Sequence, residues 1–169
     1  MIGNNIAGNI GPRVGLVDVP FVAGTSTILD HLNTLYYHVH GDPFVYPDHA
    51  DAVVLTAGTG AWAVDGTIVE LISITDLVAH TFDLHWVNIS AISGNGEIQI
   101  DIFKGASGSE KRIGATRSQR NTNQSRENAN RIQIPQQAAN ERISCRLCDS
   151  TSGALTCAVS FEGHYYAAG

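Results

Sequence analysis

The stretch ALTCAVSFEGHYY, residues 154–166, alternates apolar and polar side chains near the end of the chain. Because successive side chains of a strand point to opposite faces, one face of this stretch would be apolar and the other polar. The apolar face consists of Leu155, Cys157, Val159, Phe161 and Tyr165. Such one-sided burial is typical of an antiparallel sheet that covers a core with one face and contacts water with the other.

Similar short runs, separated by turn residues, fill the chain from Pro43 onward. The run at 97–103 directly follows Gly94-Asn95-Gly96, a sequence that accepts the positive φ of a tight hairpin turn. This series predicts an all-β fold, an antiparallel jelly-roll-like β-sandwich. The predicted strands are residues 44–46, 52–56, 61–64, 67–74, 80–92, 97–103, 112–117, 131–134, 142–147 and 154–166.

The run that contains Phe82 changes its alternation partway along. Phe82, Leu84 and Trp86 would share one face, whereas Ile89 would lie on the other. An extra residue in a strand produces this change, so we predict a β-bulge between Trp86 and Asn88. We also predict that Trp86 and Phe161 belong to the core.

The beginning of the chain has a different composition from the rest. Residues 1–25 are rich in glycine and asparagine with apolar residues spaced out singly, which predicts an extended N-terminal arm. Residues 26–169 would form the sandwich domain, with one short helix predicted from Ser26 to Tyr37 by its apolar stripe. The arm residues expected to contact a sister subunit or another partner are Ile2, Ile6, Ile10 and Val14.

Length and composition limit the classes of function that the chain could have. A chain of 169 residues is one domain of ordinary size, and its net charge of -6 argues against a general binder of nucleic acid or anionic membranes. No apolar run approaches the roughly 20 residues that a membrane-spanning helix needs. The start of the sequence shows no secretory signal, so we expect a protein made in a cytoplasm, with neither nucleic acid nor membrane as its partner.

The charges are unevenly distributed along the chain. Residues 104–146 carry nine basic and three acidic residues, whereas residues 1–103 carry one basic and eleven acidic residues. Complementary regions of this kind suit contacts between protein copies, although a solvated basic loop explains them equally well. The arginines expected to make such contacts are Arg112, Arg117, Arg120, Arg126 and Arg131.

The three cysteines do not form a convincing metal or disulfide pattern. Cys145 and Cys148 have C-x-x-C spacing, but residues three apart on a strand point to opposite faces. An odd number of cysteines cannot all pair within one chain, and no export signal is visible, so we expect reduced thiols. We predict that Cys145 and Cys157 are small core residues.

A group of histidines offers an alternative function, the binding of a metal ion. His38, His40 and His49 lie near acidic residues in the sequence, and two histidines with one carboxylate can bind a metal ion as in cupin-type sites. However, Gly41-Asp42-Pro43 predicts a turn where the cupin pattern expects a glutamate. We therefore predict no metal site and no cofactor, and leave open whether His38 and His40 bind a metal with a later His85 or His164.

Other catalytic arrangements are weaker. The sequence has no nucleophile elbow, and the carboxylates Asp83, Asp101, Glu70 and Glu97 fall on different strands whose register the sequence does not define. We expect a protein that is not an enzyme. An exposed Trp62 would allow a sugar-binding platform, which is a further alternative.

Several segments resemble those of small virion structural proteins of tailed bacteriophages. They are YYHVHG at 36–41, FVYP at 44–47, FDLHWVNI at 82–89, ANERISCRL at 139–147 and GHYY at 163–166. This resemblance implies a β-sandwich on the capsid surface of a virion, where a homotrimer binds the major capsid protein as a decoration or cement protein. The Gly/Asn-rich arm would then reach over neighbouring subunits. A tail, collar or baseplate component is the alternative within this class, and a cupin-like metal-dependent enzyme is the alternative outside it.

Overall fold

The computed structural model describes residues 41–62, 65–77, 80–121 and 128–166. The predicted arm at 1–25, the predicted helix at 26–37, His38, His40 and Arg126 lie outside these residues.

Nine strands run through the described residues, and a short 3-10 turn at His49–Asp51 is the one helical piece among them. The strands are β1 (Asp42–Tyr46), β2 (Val53–Thr56), β3 (Val69–Ile72), β4 (Thr81–Ser90), β5 (Gly96–Lys104), β6 (Lys111–Arg120), β7 (Asn128–Gln137), β8 (Ile143–Asp149) and β9 (Thr156–Tyr166). Buried positions alternate with more exposed ones along β4, where apolar and polar side chains alternate, whereas β8 and the middle of β9 are buried on consecutive residues.

The strands form two antiparallel sheets that pack as a sandwich. The front sheet has the order β1-β9-β4-β7, with β2 also paired to β9, and the back sheet has the order β3-β8-β5-β6. The predicted all-β antiparallel sandwich is therefore confirmed. The strand orders are compatible with the predicted jelly-roll connectivity, which stays a prediction.

The core lies between the two sheets and is apolar. Phe161 and Leu84 of the front sheet and Ile100 and Leu147 of the back sheet are completely buried. The prediction that Phe161 is a core residue is confirmed. In the part of the chain that the structure describes, no helix is long and apolar enough to cross a membrane.

Nine of the ten predicted strands overlap a strand of the structure, and the one predicted at 61–64 is wrong over its described half. Ala61 and Trp62 lie in a turn, where Trp62 has a φ of 49° and donates its backbone N–H to the Asp149 carbonyl at 2.7 Å. A positive φ is incompatible with an extended strand. Trp62, the large apolar residue of this segment, instead packs its ring against Arg117 of the back sheet.

The predicted β-bulge is present in β4 but lies earlier than expected. The register of β4 shifts between Leu84 and Trp86 against both β7 and β9. Leu84 and Val87 are both completely buried, so two residues instead of one separate these inward positions. The prediction that Trp86 belongs to the core is therefore wrong: the bulge turns it outward, and it is 38% exposed.

All three cysteines are free and buried. Cys145 and Cys157 belong to the core, as predicted, whereas the Cys148 thiol contacts the Gln99 carbonyl at 3.8 Å outside the core cluster. Burial raises the pKa of Cys145 well above its usual value, raises that of Cys157 to about 12 and also raises that of Cys148. Since the thiolate is the form that binds metals and attacks electrophiles, a raised pKa disfavours both reactions at neutral pH.

Candidate functional site

A groove of about 450 Å³ crosses the outer face of the front sheet, where β1, β9 and β4 lie side by side. The groove is open to solvent, and its lining combines apolar side chains with titratable ones. The lining includes the side chains of Val45, His85, Trp86, Glu162 and His164.

Three titratable side chains converge beside this groove. Asp83 on β4 lies opposite His164 on β9 in the strand register, and His85 follows two residues after Asp83. The Asp83 Oδ1 atom is 3.0 Å from His85 Nε2 and 3.7 Å from His164 Nδ1. The two imidazole rings lie edge to face with their centroids 4.8 Å apart. This cluster of two histidines and one carboxylate is called the DHH cluster below.

Two further hydrogen bonds hold the carboxylate of the DHH cluster. The Tyr166 hydroxyl donates to Asp83 Oδ2 at 2.6 Å, and the His164 backbone N–H donates to Asp83 Oδ1 at 3.1 Å. Burial, together with the neighbouring Asp83 carboxylate, raises the pKa of Tyr166 to about 12. The tyrosine therefore stays protonated at neutral pH and continues to donate this hydrogen bond.

A glycine and the bulge explain why the chain brings these groups together. Gly163 pairs with Leu84, and a Cβ at this position would lie 1.9 Å from the Asp83 carbonyl oxygen. No other residue type would allow β9 to approach β4 so closely at this point. The bulge adds a residue just beyond it and places His85 next to the groove.

The outer face of the front sheet also carries exposed apolar side chains. Val45, Val54 and Trp86 are 41%, 60% and 38% exposed, and Arg131 is the exposed register neighbour of Trp86 on β7. Tryptophan and arginine are enriched at the centres of protein interfaces. The outer face of the front sheet thus exposes apolar, aromatic and cationic side chains next to the groove.

A network of charged side chains covers part of the outer face of the back sheet. Asp101 on β5 is 4% exposed and accepts hydrogen bonds or ion pairs from Arg112 at 2.7 Å, Arg146 at 3.1 Å and Gln99 at 2.9 Å. Arg146 also contacts Asp65 at 2.9 Å. These charges neutralise one another within the chain.

The turn that follows β2 also covers part of the outer face of the back sheet. The Arg117 guanidinium lies 5.1 Å from the centroid of the Trp62 ring, and the same guanidinium donates to Gln99 Oε1 at 2.8 Å. Trp62 is 37% exposed, but the cation–π contact occupies one of its ring faces. The exposure that a sugar-binding platform at Trp62 would need is present, and that alternative stays a prediction.

The four predicted contact arginines among the described residues lie on two strands. Arg112, Arg117 and Arg120 lie along β6, an edge strand of the back sheet, and Arg131 lies on β7. The side chains of Arg112 and Arg117 have partners within the chain, as given above, whereas Arg131 is exposed beside Trp86. Their role in contacts with capsid or sister subunits stays a prediction, as does that of Arg126 and of the arm residues Ile2, Ile6, Ile10 and Val14.

The histidine cluster expected near residue 40 is only partly described. His49 lies on the 3-10 turn, where its Nδ1 is 3.5 Å from the Ser160 hydroxyl, while His38 and His40 are outside the described residues. Within the described part of the chain, the group of potential metal ligands that converges is Asp83, His85 and His164. The two later histidines had been named as alternatives, but Asp83 as their partner had not. The D-x-H spacing of Asp83 and His85 was the available signal.

Comparison with known proteins gives no further guide, since no protein-family model, curated protein or solved structure matches the chain.

Proposed function

We propose that the chain is a non-enzymatic assembly protein that docks on a protein lattice through the outer face of its front sheet. The observation that carries this proposal is Trp86, a large aromatic residue that the β-bulge turns away from the core and into the rim of a groove. Tryptophans that a partner buries are among the residues that contribute most to binding energy at interfaces.

The contrast between the two outer faces supports the same conclusion. On the back sheet, the Asp101 carboxylate and its arginines neutralise one another inside the chain. On the front sheet, Val45 and Val54 are exposed apolar residues, and Arg131 is an exposed cation beside Trp86. A partner that covers this face would bury the apolar residues and pair the cation.

The resemblance to virion structural proteins supplies the identity of the lattice in this proposal. The chain would be a capsid decoration or cement protein that binds the major capsid protein and stabilises the assembled shell. Binding the assembled lattice in preference to free subunits stabilises the shell by mass action, with no chemical step. A tail, collar or baseplate component would use the same face but assemble with a different symmetry.

The oligomeric state separates these alternatives. We expect the purified full chain to form a homotrimer of 18.0 kDa subunits, measured by size-exclusion chromatography with light scattering. A chain that lacks residues 1–24 should keep this state if the arm contacts the lattice and not its sister subunits. A monomer, or a ring of six or twelve copies, would contradict the trimeric decoration protein.

Substitution of Trp86 tests the docking face. In cosedimentation with particles assembled from the major capsid protein, Trp86→Ala should weaken binding by about 30-fold, as expected for an interface hot spot of about 2 kcal/mol. Trp62→Ala is the matched control, because Trp62 is equally exposed but belongs to the back side of the sandwich. It should bind like the unmodified chain. Equal binding by both variants would contradict the assignment of the front face.

A further inference from the structure

We propose that the DHH cluster, Asp83 with His85 and His164, is a binding site for a divalent transition-metal ion, with Zn²⁺ as the ion to test first. The site lies on the outer face of the front sheet, at the side of the groove. This inference rests on the side chains of the cluster and is independent of whether the chain docks on a lattice.

The donor set fits this class of ion. Two imidazoles and one carboxylate form three-ligand sites for zinc and for several redox-active metals, whereas Mg²⁺ and Ca²⁺ prefer oxygen ligands alone. Each residue offers one suitable atom: Asp83 Oδ1, His85 Nε2 and His164 Nδ1. A carboxylate between two imidazoles also supplies the negative charge that a dication needs.

The distances fit as well. Metal–nitrogen and metal–oxygen bonds of about 2.0–2.1 Å in a tetrahedral site place the ligand atoms about 3.3 Å apart. The two measured separations from Asp83 Oδ1, 3.0 Å to His85 and 3.7 Å to His164, lie on either side of this value. All three ligand atoms lie within 4.8 Å of one another. Small side-chain rotations would therefore produce coordination geometry without any change in the backbone.

The groups around the ligands orient them. Tyr166 donates to the second carboxylate oxygen of Asp83, and the His164 backbone N–H fixes the first. Such second-shell hydrogen bonds are a regular feature of metal sites, because they fix ligand orientation before the ion binds. In addition, all three ligands stand on paired strands, so their backbones are held by the register of β4 and β9.

The cluster leaves room for a fourth ligand on the groove side. His85 and His164 are about one-third exposed, while the Asp83 side chain is 14% exposed. Three protein ligands with an open position are typical of sites that also bind water or an external ligand. Here, the open position would accept a water molecule or a donor atom from a molecule that occupies the groove.

Metal titration of the full chain tests this proposal. After treatment with a chelator and its removal, the protein should bind one Zn²⁺ per chain in isothermal titration calorimetry, and Zn²⁺ should raise its melting temperature. Co²⁺ should bind the same site with a visible absorption spectrum typical of low coordination number. No binding of either ion at micromolar protein and metal concentrations would overturn the proposal.

Substitutions locate the site. His85→Ala and His164→Ala should each weaken Zn²⁺ binding by at least 100-fold, while Tyr166→Phe should weaken it by about 10-fold, because it keeps the ligands and removes one second-shell hydrogen bond. Asp83→Asn serves as a ligand variant of unchanged size, should either alanine variant fold poorly. His49→Ala is the control, since His49 contacts Ser160 outside the DHH cluster, and it should bind like the unmodified chain. Stoichiometric binding that survives substitution of both cluster histidines would overturn the proposal.

Discussion

Replacement of Phe161 by alanine is expected to lower the free energy of unfolding by about 4 kcal/mol, the range for truncation of a fully buried aromatic side chain. Phe161 is completely buried and pairs with Tyr46 on one side and Val87 on the other, in the centre of the front sheet. Its removal costs the transfer free energy of the ring and leaves a cavity that neighbouring strands cannot close, because both are fixed by their hydrogen bonds. Urea unfolding followed by tryptophan fluorescence or circular dichroism measures the loss.

The neighbouring tryptophan supplies the matched control for this experiment. Trp86 is also a large aromatic residue of the front sheet, but the bulge turns it outward. Trp86→Ala should therefore change the free energy of unfolding by less than about 1 kcal/mol, as for other surface substitutions. Similar losses at both positions would show that the bulge does not lie at His85 and that Trp86 packs in the core.

Asp101→Ala should lower the free energy of unfolding by about 3 kcal/mol, as removal of one partner from a buried ion pair does. Asp101 is nearly inaccessible and contacts both Arg112 and Arg146. Arg146 keeps Asp65 as a partner, but its Nε atom is already buried without a hydrogen bond among the described residues. Loss of Asp101 would leave this guanidinium with fewer acceptors in a position that water reaches poorly.

Two further variants test the interpretation of Asp101. Arg112→Ala removes the more exposed partner and should cost less than about 1 kcal/mol, because its side chain is 52% exposed and water can replace the contact. Replacing Asp101 and Arg146 together with leucine should restore part of the stability lost in Asp101→Ala, since the charges that lose a partner, Asp65 and Arg112, are about half exposed and water can solvate them. If the double variant is less stable than Asp101→Ala, the loss of unfolding free energy in Asp101→Ala does not come from the unpaired arginine.

The sequence predicted the strands well because a two-residue alternation is visible wherever one face of a strand is buried. It failed at 61–64, where the apolar residues resemble a strand but Trp62 turns to contact Arg117. The position of the bulge was also missed, because it depends on which residues pair across the sheet. A glycine inside β9, Gly163, was the signal for a close approach at this point.

The candidate site could be predicted only in part. His85 and His164 were recognised as possible ligands, but the partner that joins them, Asp83, comes from a register that relates residues far apart in the sequence. Periodicity indicates which face a side chain occupies, and it gives no information on which residue of another strand lies opposite. The arginines show the same limit, because the acceptors of Arg112 and Arg117 lie on β5, the strand before their own.

The position of β9 has a consequence for how the chain reaches its native state. This strand, the last in the described sequence, pairs with β1, β2 and β4 in the middle of the front sheet, and Asp42 at the start of β1 lies opposite Tyr165 near its end. During synthesis, the earlier strands of the front sheet therefore leave the ribosome before their common neighbour exists. Pairings between residues so far apart in the sequence form slowly, and strand edges that are still unpaired can form hydrogen bonds with strands of other molecules. We therefore expect nascent or truncated chains that end before Thr156 to aggregate more readily than the full chain.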